Sequence, residues 1–169
     1  MPRVEKLPLP EPALHQRYAR EGAYTDCYST VIDAVVTHAN FVEAFYTTWL
    51  FKLERWILTV TVGKRSHDAE ARWLAHGDLD SFAAWTVERR APDQLLMCDY
   101  LEATRSWFMV SPETGGRTRL FFGSAVVKRP DPATGRPKIG RTYRILMGFH
   151  RLYSRALLRA AAASLVRER

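Results

Sequence analysis

Four side chains in the second half of the chain have the chemistry of an acid–base or anion-binding site: Asp99, Arg105, His150 and Tyr153. His150 and Tyr153 stand close together in the last predicted helix, where an imidazole can take up or release a proton near neutral pH. The alternative is that His150 is a partly buried helix residue without a chemical role. These four residues are the candidate catalytic groups.

Arg105 is the most suggestive charge, because it stands in the middle of a predicted strand two residues before Trp107. If its guanidinium points inward, it needs a carboxylate partner or an anionic ligand group, since burying an unpaired cation is prohibitively costly. If it points outward, a pair with a Glu or Asp on a neighbouring strand is expected. The candidate carboxylates near the sheet are Asp26, Glu88 and Asp99.

The chain carries none of the short motifs that bind phosphate, activate a serine or hold zinc on a helix. Its densest group of possible metal ligands is His67, Asp68, His76, Asp78 and Asp80. Their spacing fits no recognised ligand pattern, and His or Asp beside a helix usually caps it. We therefore predict no metal site and no cofactor.

Composition indicates one globular domain with a substantial core. The chain has 169 residues, of which 47% are hydrophobic, 25% charged and 12% aromatic. Its net charge is +7, which raises the odds of an anionic partner. The basic residues are scattered, however, and no nucleic-acid-binding signature accompanies them, so nucleic acid is not the predicted partner.

Two cysteines and the lack of a long apolar run bear on location. Cys27 and Cys98 lie far apart in strand-like contexts, so we expect free, buried thiols in a reducing compartment. No apolar run reaches the length of a membrane span, and no signal peptide opens the chain. The expected location is the cytoplasm.

Periodicity divides the chain into an extended, proline-rich N-terminal arm at residues 1–21 and one α+β domain at residues 22–169. The predicted elements of that domain are a strand at 24–32, helices at 41–58 and 66–76, a four-strand antiparallel meander at 81–128 and a helix at 141–166. In the first helix, Glu54 and Arg55 are expected at the solvent edge. Thr37 or Asn40 should cap it and Gly63 should end it.

The meander is rich in aromatic and sulfur-containing residues at alternate positions, which predicts one face covered by something large and apolar. Gly123 is a candidate position for a bulge that would swap the two faces. The residues predicted to line a ligand pocket between sheet and helices are Trp49, Trp85, Met97, Trp107, Met109, Phe122, Phe149 and Tyr153.

The order of elements resembles the START-like superfamily, also called SRPBCC, Bet v 1-like or helix-grip, and within it bacterial domains. The resemblance is carried by YTDCYSTVI, the helix from Phe41, the WTVE of residues 85–88, LLMCDY, TRSWFMV, LFFGSAVV and the closing helix. It implies a curved antiparallel sheet wrapped around the long C-terminal helix, with two helices after the first strand. Five strands are predicted here, where the superfamily usually has six or seven.

The resemblance implies a cavity for a lipid-like, polyketide-like or aromatic molecule, and three hypotheses follow. A binding or carrier protein needs an apolar cavity. A cofactor-free enzyme of the cyclase or dehydratase type needs at least two titratable side chains within hydrogen-bond reach inside it. A structural homodimer would have a filled core and a large apolar patch facing outward.

Overall fold

Alternating apolar residues in the second half of the chain produce long antiparallel strands. The computed structural model describes residues 3–63, 65–127 and 141–167, and only the backbone at 61–62 and 141–150. The strands are β1 (Glu5–Lys6), β2 (Tyr24–Ile32), β3 (Ser81–Phe82), β4 (Trp85–Ala91), β5 (Gln94–Asp99), β6 (Thr104–Glu113) and β7 (Arg117–Val126). They form one open antiparallel sheet in the order β1-β2-β7-β6-β5-β4-β3.

The sheet has seven strands rather than the predicted five, because two short strands extend its edges. The N-terminal arm adds β1 beside β2. Positive φ at Ala83 breaks the predicted first strand of the meander into β3 and β4. The bulge lies in β4 between Val87 and Arg89, and not at Gly123, where the pairing with both neighbouring strands runs in continuous register.

Five helices accompany the sheet in the described part of the chain: α1 (Gln16–Arg20), α2 (His38–Thr47), α3 (Trp49–Val62), α4 (Asp68–His76) and α5 (Arg141–Arg167). Thr37 caps α2 as predicted, and Gly63 ends α3 in the left-handed conformation. The prediction of two helices after the first strand is wrong, because the predicted helix at 41–58 is divided in two at Thr48.

Thr48 divides α2 from α3 because its backbone is extended, with φ −56° and ψ 147°. Its hydroxyl accepts a hydrogen bond from the Phe51 amide (3.2 Å) and donates one to the Phe45 carbonyl (2.9 Å). One side chain therefore satisfies backbone groups at the end of one helix and the start of the next. The break gives α3 a new direction, so its inward face does not follow from that of α2.

The helices α2, α4 and α5 cover one side of the sheet, here called the helix side. Packing there is mostly aromatic: the Phe45 ring lies 4.8 Å from that of Phe108 and 4.6 Å from that of Phe122, centroid to centroid. The buried sheet residues of this core include Tyr28, Ile32, Phe82, Leu95, Met97, Phe108, Leu120 and Phe122.

The N-terminal arm covers the opposite side of the sheet, here called the arm side. Ala13 and Tyr18 are buried there, with Leu7, Leu9 and Leu14 packed around them. The sheet residues beneath the arm are Cys27, Leu96, Trp107, Met109, Phe121 and Ala125. The predicted arm is thus a layer of the fold, and both sides of the sheet are covered.

Both cysteines are free and buried, as predicted. No helix in the described part of the chain is long and apolar enough to cross a membrane.

Candidate functional site

A cavity of about 120 Å³ lies on the helix side, between the sheet and helices α3 and α5. It is walled by side chains from helices α2, α3 and α5 and from strands β4, β6 and β7. Its lining residues are Phe45, Tyr46, Phe51, Glu54, Trp85, Thr104, Ser106, Phe122, Tyr153, Ser154 and Leu157. Six of the eleven lining residues are aromatic, and the polar ones come from α2, α3, α5 and β6.

Glu54 of α3 and Tyr153 of α5 form the central polar pair of this cavity. The Tyr153 hydroxyl donates to Glu54 Oε2 at 2.5 Å. Burial raises the pKa of Glu54, partly offset by that hydrogen bond. Burial also raises the pKa of Tyr153, and the neighbouring carboxylate adds to the shift. No salt bridge to Glu54 forms among the residues whose side chains are described, so no described cation compensates its carboxylate.

Tyr46 contributes a third polar group. The residue is 1% exposed, and its hydroxyl is buried without a hydrogen-bond partner among the described residues. Burial raises its pKa, and the charge of Glu54 raises it further. A buried hydroxyl left unpaired costs free energy. Such a group is therefore a natural point of contact for a bound molecule.

The structure separates the predicted lining residues. Trp85, Phe122 and Tyr153 line the cavity. Met97 is buried in the same core without reaching the cavity wall. Trp49 is 72% exposed and faces away. Trp107 and Met109 lie on the arm side of the sheet, away from the cavity. The side chain of Phe149 lies outside the described residues.

The candidate catalytic groups are separated in the same way. Tyr153 is in the cavity, whereas Arg105 is on the arm side, where its Nε donates to Glu88 Oε2 at 2.8 Å. Glu88 is on β4, so the ion pair reaches across β5, and the Arg105 side chain is only 12% exposed. Arg105 therefore has the carboxylate partner that a buried guanidinium needs. Asp99 Oδ1 accepts from the backbone amides of Ala103 and Thr104, so it fixes the β5–β6 turn. The side chain of His150 lies outside the described residues.

Asp26, the third carboxylate considered, is buried on β2 at 1% exposure. Its Oδ1 accepts from the Ser124 amide at 2.9 Å and its Oδ2 from the Tyr24 hydroxyl at 3.3 Å. It therefore neither faces solvent nor lines the cavity.

Glu54 and Arg55 correct the prediction of a solvent edge. Glu54 turns into the cavity, and Arg55, only 8% exposed, donates to the Ser66 hydroxyl and to Asp68 Oδ1. Reading residues 41–58 as one helix placed these side chains outward, and the break at Thr48 changes their direction. The sequence signal for this break is Thr48 itself, because threonine is a favourable residue just before the start of a helix.

No group of three or more His, Cys, Asp or Glu in the described part of the chain is placed to hold a metal ion.

No family model matches the chain. No curated protein matches it either. Among solved structures, the chain is similar to the crystal structure of CalU16 from Micromonospora echinospora, at 11% sequence identity and a TM-score of 0.32 over 97% of this chain and 94% of that one. A TM-score this low supports no argument about the present chain.

Proposed function

We propose that the protein binds a small hydrophobic molecule in the cavity between the sheet, α3 and α5, and that its fold is of the helix-grip, START-like type. Support for the fold comes from the strand order: β2 and β7 lie side by side although they are the first and last long strands, and α5 follows β7 and packs on both. The cavity carries the functional proposal, because its largely aromatic walls also carry the titratable side chains of Tyr46, Glu54 and Tyr153.

Cavity volume sets the size of the ligand. An engineered apolar cavity of about 150 Å³ in another protein holds benzene, and the present cavity is about 120 Å³. The molecule is therefore about the size of one aromatic ring. Tyr46, Glu54 and Tyr153 favour a ligand that carries a hydroxyl or carbonyl group.

The second candidate is a cofactor-free enzyme of the cyclase or dehydratase type. The observation that favours it is the Tyr153–Glu54 hydrogen bond, which gives two titratable groups within reach of each other inside the cavity. Burial raises the pKa of Glu54, so the carboxyl is better able to deliver a proton to a substrate oxygen than an ordinary glutamate. A carrier needs no such group.

Native mass spectrometry of the protein as purified, followed by organic extraction, tests the binding proposal. A small apolar species at one per chain is expected in the wild type. Ser106→Leu fills the cavity from β6 and should abolish it, whereas Ser111→Leu, on the same strand but outside the cavity lining, should retain it. Thr104→Ile is a second blocking variant if Ser106→Leu folds poorly.

Retention of the species in both blocking variants, or a wild type that is empty and binds neither phenol nor benzene, would overturn the proposal. The enzyme candidate is separated by Glu54→Gln. This change keeps an acceptor for Tyr153 but removes the proton. An enzyme should therefore lose turnover of the extracted species, while a carrier should still bind it, with a weaker preference for a hydroxylated ring.

A further inference from the structure

Glu54 is an acidic group in the cavity whose charge no described cation balances. Its Oε2 accepts from the Tyr153 hydroxyl, and its Oε1 makes no hydrogen bond or salt bridge in the described part of the chain. The two basic residues of its own helix are engaged elsewhere, because Lys52 and Arg55 both pair with Asp68 at 2.6 Å. A carboxylate that is removed from water without a partner is costly. Glu54 therefore lacks a positive charge that a ligand can supply.

Helix α5, which carries Tyr153, brings no described cation to the cavity either. Arg151 donates to the Tyr24 hydroxyl at 2.9 Å and Arg155 to the Val4 carbonyl at 3.3 Å. Both contacts lie toward β1 and β2, away from α3. Among the described residues, no Lys, Arg or His lines the cavity. The protein thus supplies the acid of an ion pair there and leaves out the base.

The aromatic part of the cavity wall favours a ligand of the same charge. The faces of an aromatic ring carry partial negative charge, so they attract a cation in addition to excluding water. Three of the lining rings lie in sequence along the wall: the ring centroid of Phe51 is 4.8 Å from that of Tyr46 and 5.5 Å from that of Trp85. Several rings beside one carboxylate are suitable surroundings for an ammonium group.

The Tyr46 hydroxyl provides a second contact that the protein leaves open. It is buried and has no hydrogen-bond partner among the described residues. Glu54 lies near enough for its charge to raise the pKa of Tyr46, so one ligand group can reach both side chains. An ammonium has up to three N–H donors. It can therefore donate to the phenol oxygen of Tyr46 and to Oε1 of Glu54 together.

We propose that the preferred ligand of the cavity is a small amine in its protonated form, bound through its N–H groups by Glu54 and Tyr46 and enclosed by the aromatic walls. This inference rests on the proposed binding function and adds the charge of the ligand to it. With a cavity of about 120 Å³, the apolar part of the amine is no larger than a benzene ring. An anion of the same size is disfavoured, because it would face the carboxylate of Glu54.

Calorimetric titration of two molecules of similar shape and different charge tests the inference. tert-Butylammonium and tert-butanol differ only in an ammonium group that replaces a hydroxyl. At about pH 8 the amine is still protonated, and wild type should bind it at least about tenfold more tightly than the alcohol, because a charge-assisted hydrogen bond is stronger than a neutral one.

Glu54→Gln should bring the affinities for the two molecules to within about twofold of each other, because it removes the charge and keeps the shape of the side chain. The matched control is Glu88→Gln, which changes a carboxylate that already pairs with two arginines outside the cavity. It should leave the preference for the ammonium unchanged. The species extracted from purified wild type should also contain a basic nitrogen.

Equal or tighter binding of tert-butanol by wild type would overturn the inference, and the cavity proposal would stand, since a neutral molecule still binds. A preference for the ammonium that survives in Glu54→Gln would also overturn it, because the charge would then be recognised elsewhere. A wild type that binds neither molecule, and neither phenol nor benzene, would overturn the cavity proposal and this inference together.

Discussion

Two carboxylate–tyrosine pairs lie on opposite sides of the same sheet and have different surroundings. On the arm side, Tyr18 donates to Glu88 Oε1 at 2.7 Å, and Arg17 and Arg105 pair with the same carboxylate at 2.6 and 2.8 Å. On the helix side, Tyr153 donates to Glu54 inside a cavity, and no salt bridge to Glu54 forms among the described side chains.

The difference separates a structural use of these residues from a chemical one. Two guanidinium groups neutralise Glu88, and its hydrogen bonds connect α1 to the sheet. This pair is therefore already engaged within the protein and is not a ligand-binding group. Glu54 has one phenol partner, and burial raises its pKa. Residue types alone do not distinguish the pairs, but the presence of compensating charge does.

Close packing under the arm is tested by Gly123→Ala, for which we expect the largest effect. A Cβ at position 123 would lie 2.5 Å from the Asp26 carbonyl oxygen, 2.9 Å from His15 Nε2 and 3.0 Å from Trp107. Since a backbone oxygen cannot step aside, overpacking should cost about 3 kcal/mol or more. Urea denaturation measures it, and a loss below about 1 kcal/mol would mean that the arm is loosely packed.

The arm side should also make stability depend on pH through His15. This residue is fully buried, its ring 4.5 Å from that of Trp107, and burial lowers its pKa to about 4 from 6.5, although a hydrogen bond to the Asp26 carbonyl opposes the shift. In the pH range from 6.5 down to 4 the unfolded chain takes up the proton first. The free energy of unfolding should therefore fall by about 3 kcal/mol over that range.

His38, whose pKa burial also lowers to about 4, should add a similar fall over the same range. The variant His15→Phe should thus reduce the fall in the free energy of unfolding between pH 6.5 and 4 by about 3 kcal/mol, measured by denaturation at each pH. An unchanged pH dependence in that variant would contradict the burial of a neutral His15.

The two carboxylates can be compared directly by making the same substitution at each. Glu88→Gln leaves two arginines without their anion and should cost about 2 kcal/mol at pH 7, a value reduced for partial exposure. Glu54→Gln should be neutral or stabilising at pH 7. The raised pKa of Glu54 means that its stabilising effect is present at low pH and is lost as pH rises through the folded-state pKa.

The stability advantage of Glu54→Gln should therefore vanish below about pH 4. Equal destabilisation by both substitutions at pH 7 would remove the distinction between the two pairs.

Replacing each tyrosine by phenylalanine gives a smaller contrast, in which the two variants change the stability of the fold in opposite directions. Tyr18→Phe breaks the hydrogen bond to Glu88 and should cost about 1 kcal/mol. Tyr46→Phe removes a buried hydroxyl that has no described partner and should stabilise the fold by about 0.5 to 1 kcal/mol. Thermal denaturation of both variants measures the contrast, and a destabilised Tyr46→Phe would show that its hydroxyl is already satisfied.

Strand periodicity predicted the antiparallel meander and the α+β class well, because alternation is a local property. Alternation also placed Trp107 with Arg105, as found, but it could not tell which side faces the helices. The proline-rich arm has no periodicity that announces a second layer, so Trp107 was assigned to the pocket. An arm that packs through Leu7, Ala13 and Tyr18 is visible only in three dimensions.

The candidate site was less predictable than the fold. Tyr153 was identified because aromatic spacing marks the inner face of a long helix. Glu54 was missed because the break at Thr48 changes the phase of α3, and one residue in extended conformation is a tertiary outcome rather than a periodic signal. Its cavity forms between elements almost one hundred residues apart in sequence, which no local pattern encodes.

The central claim is that the helix side holds a ligand-binding cavity with a polar end, while the arm side is closed. Calorimetric titration of phenol and benzene into wild type, Glu54→Gln and Glu88→Gln tests it most directly. We predict that wild type binds phenol several times more tightly than benzene, that Glu54→Gln reduces this preference, and that Glu88→Gln leaves it unchanged. The account would be contradicted if wild type bound neither phenol nor benzene. It would also be contradicted if both variants lost the preference for phenol over benzene to the same extent.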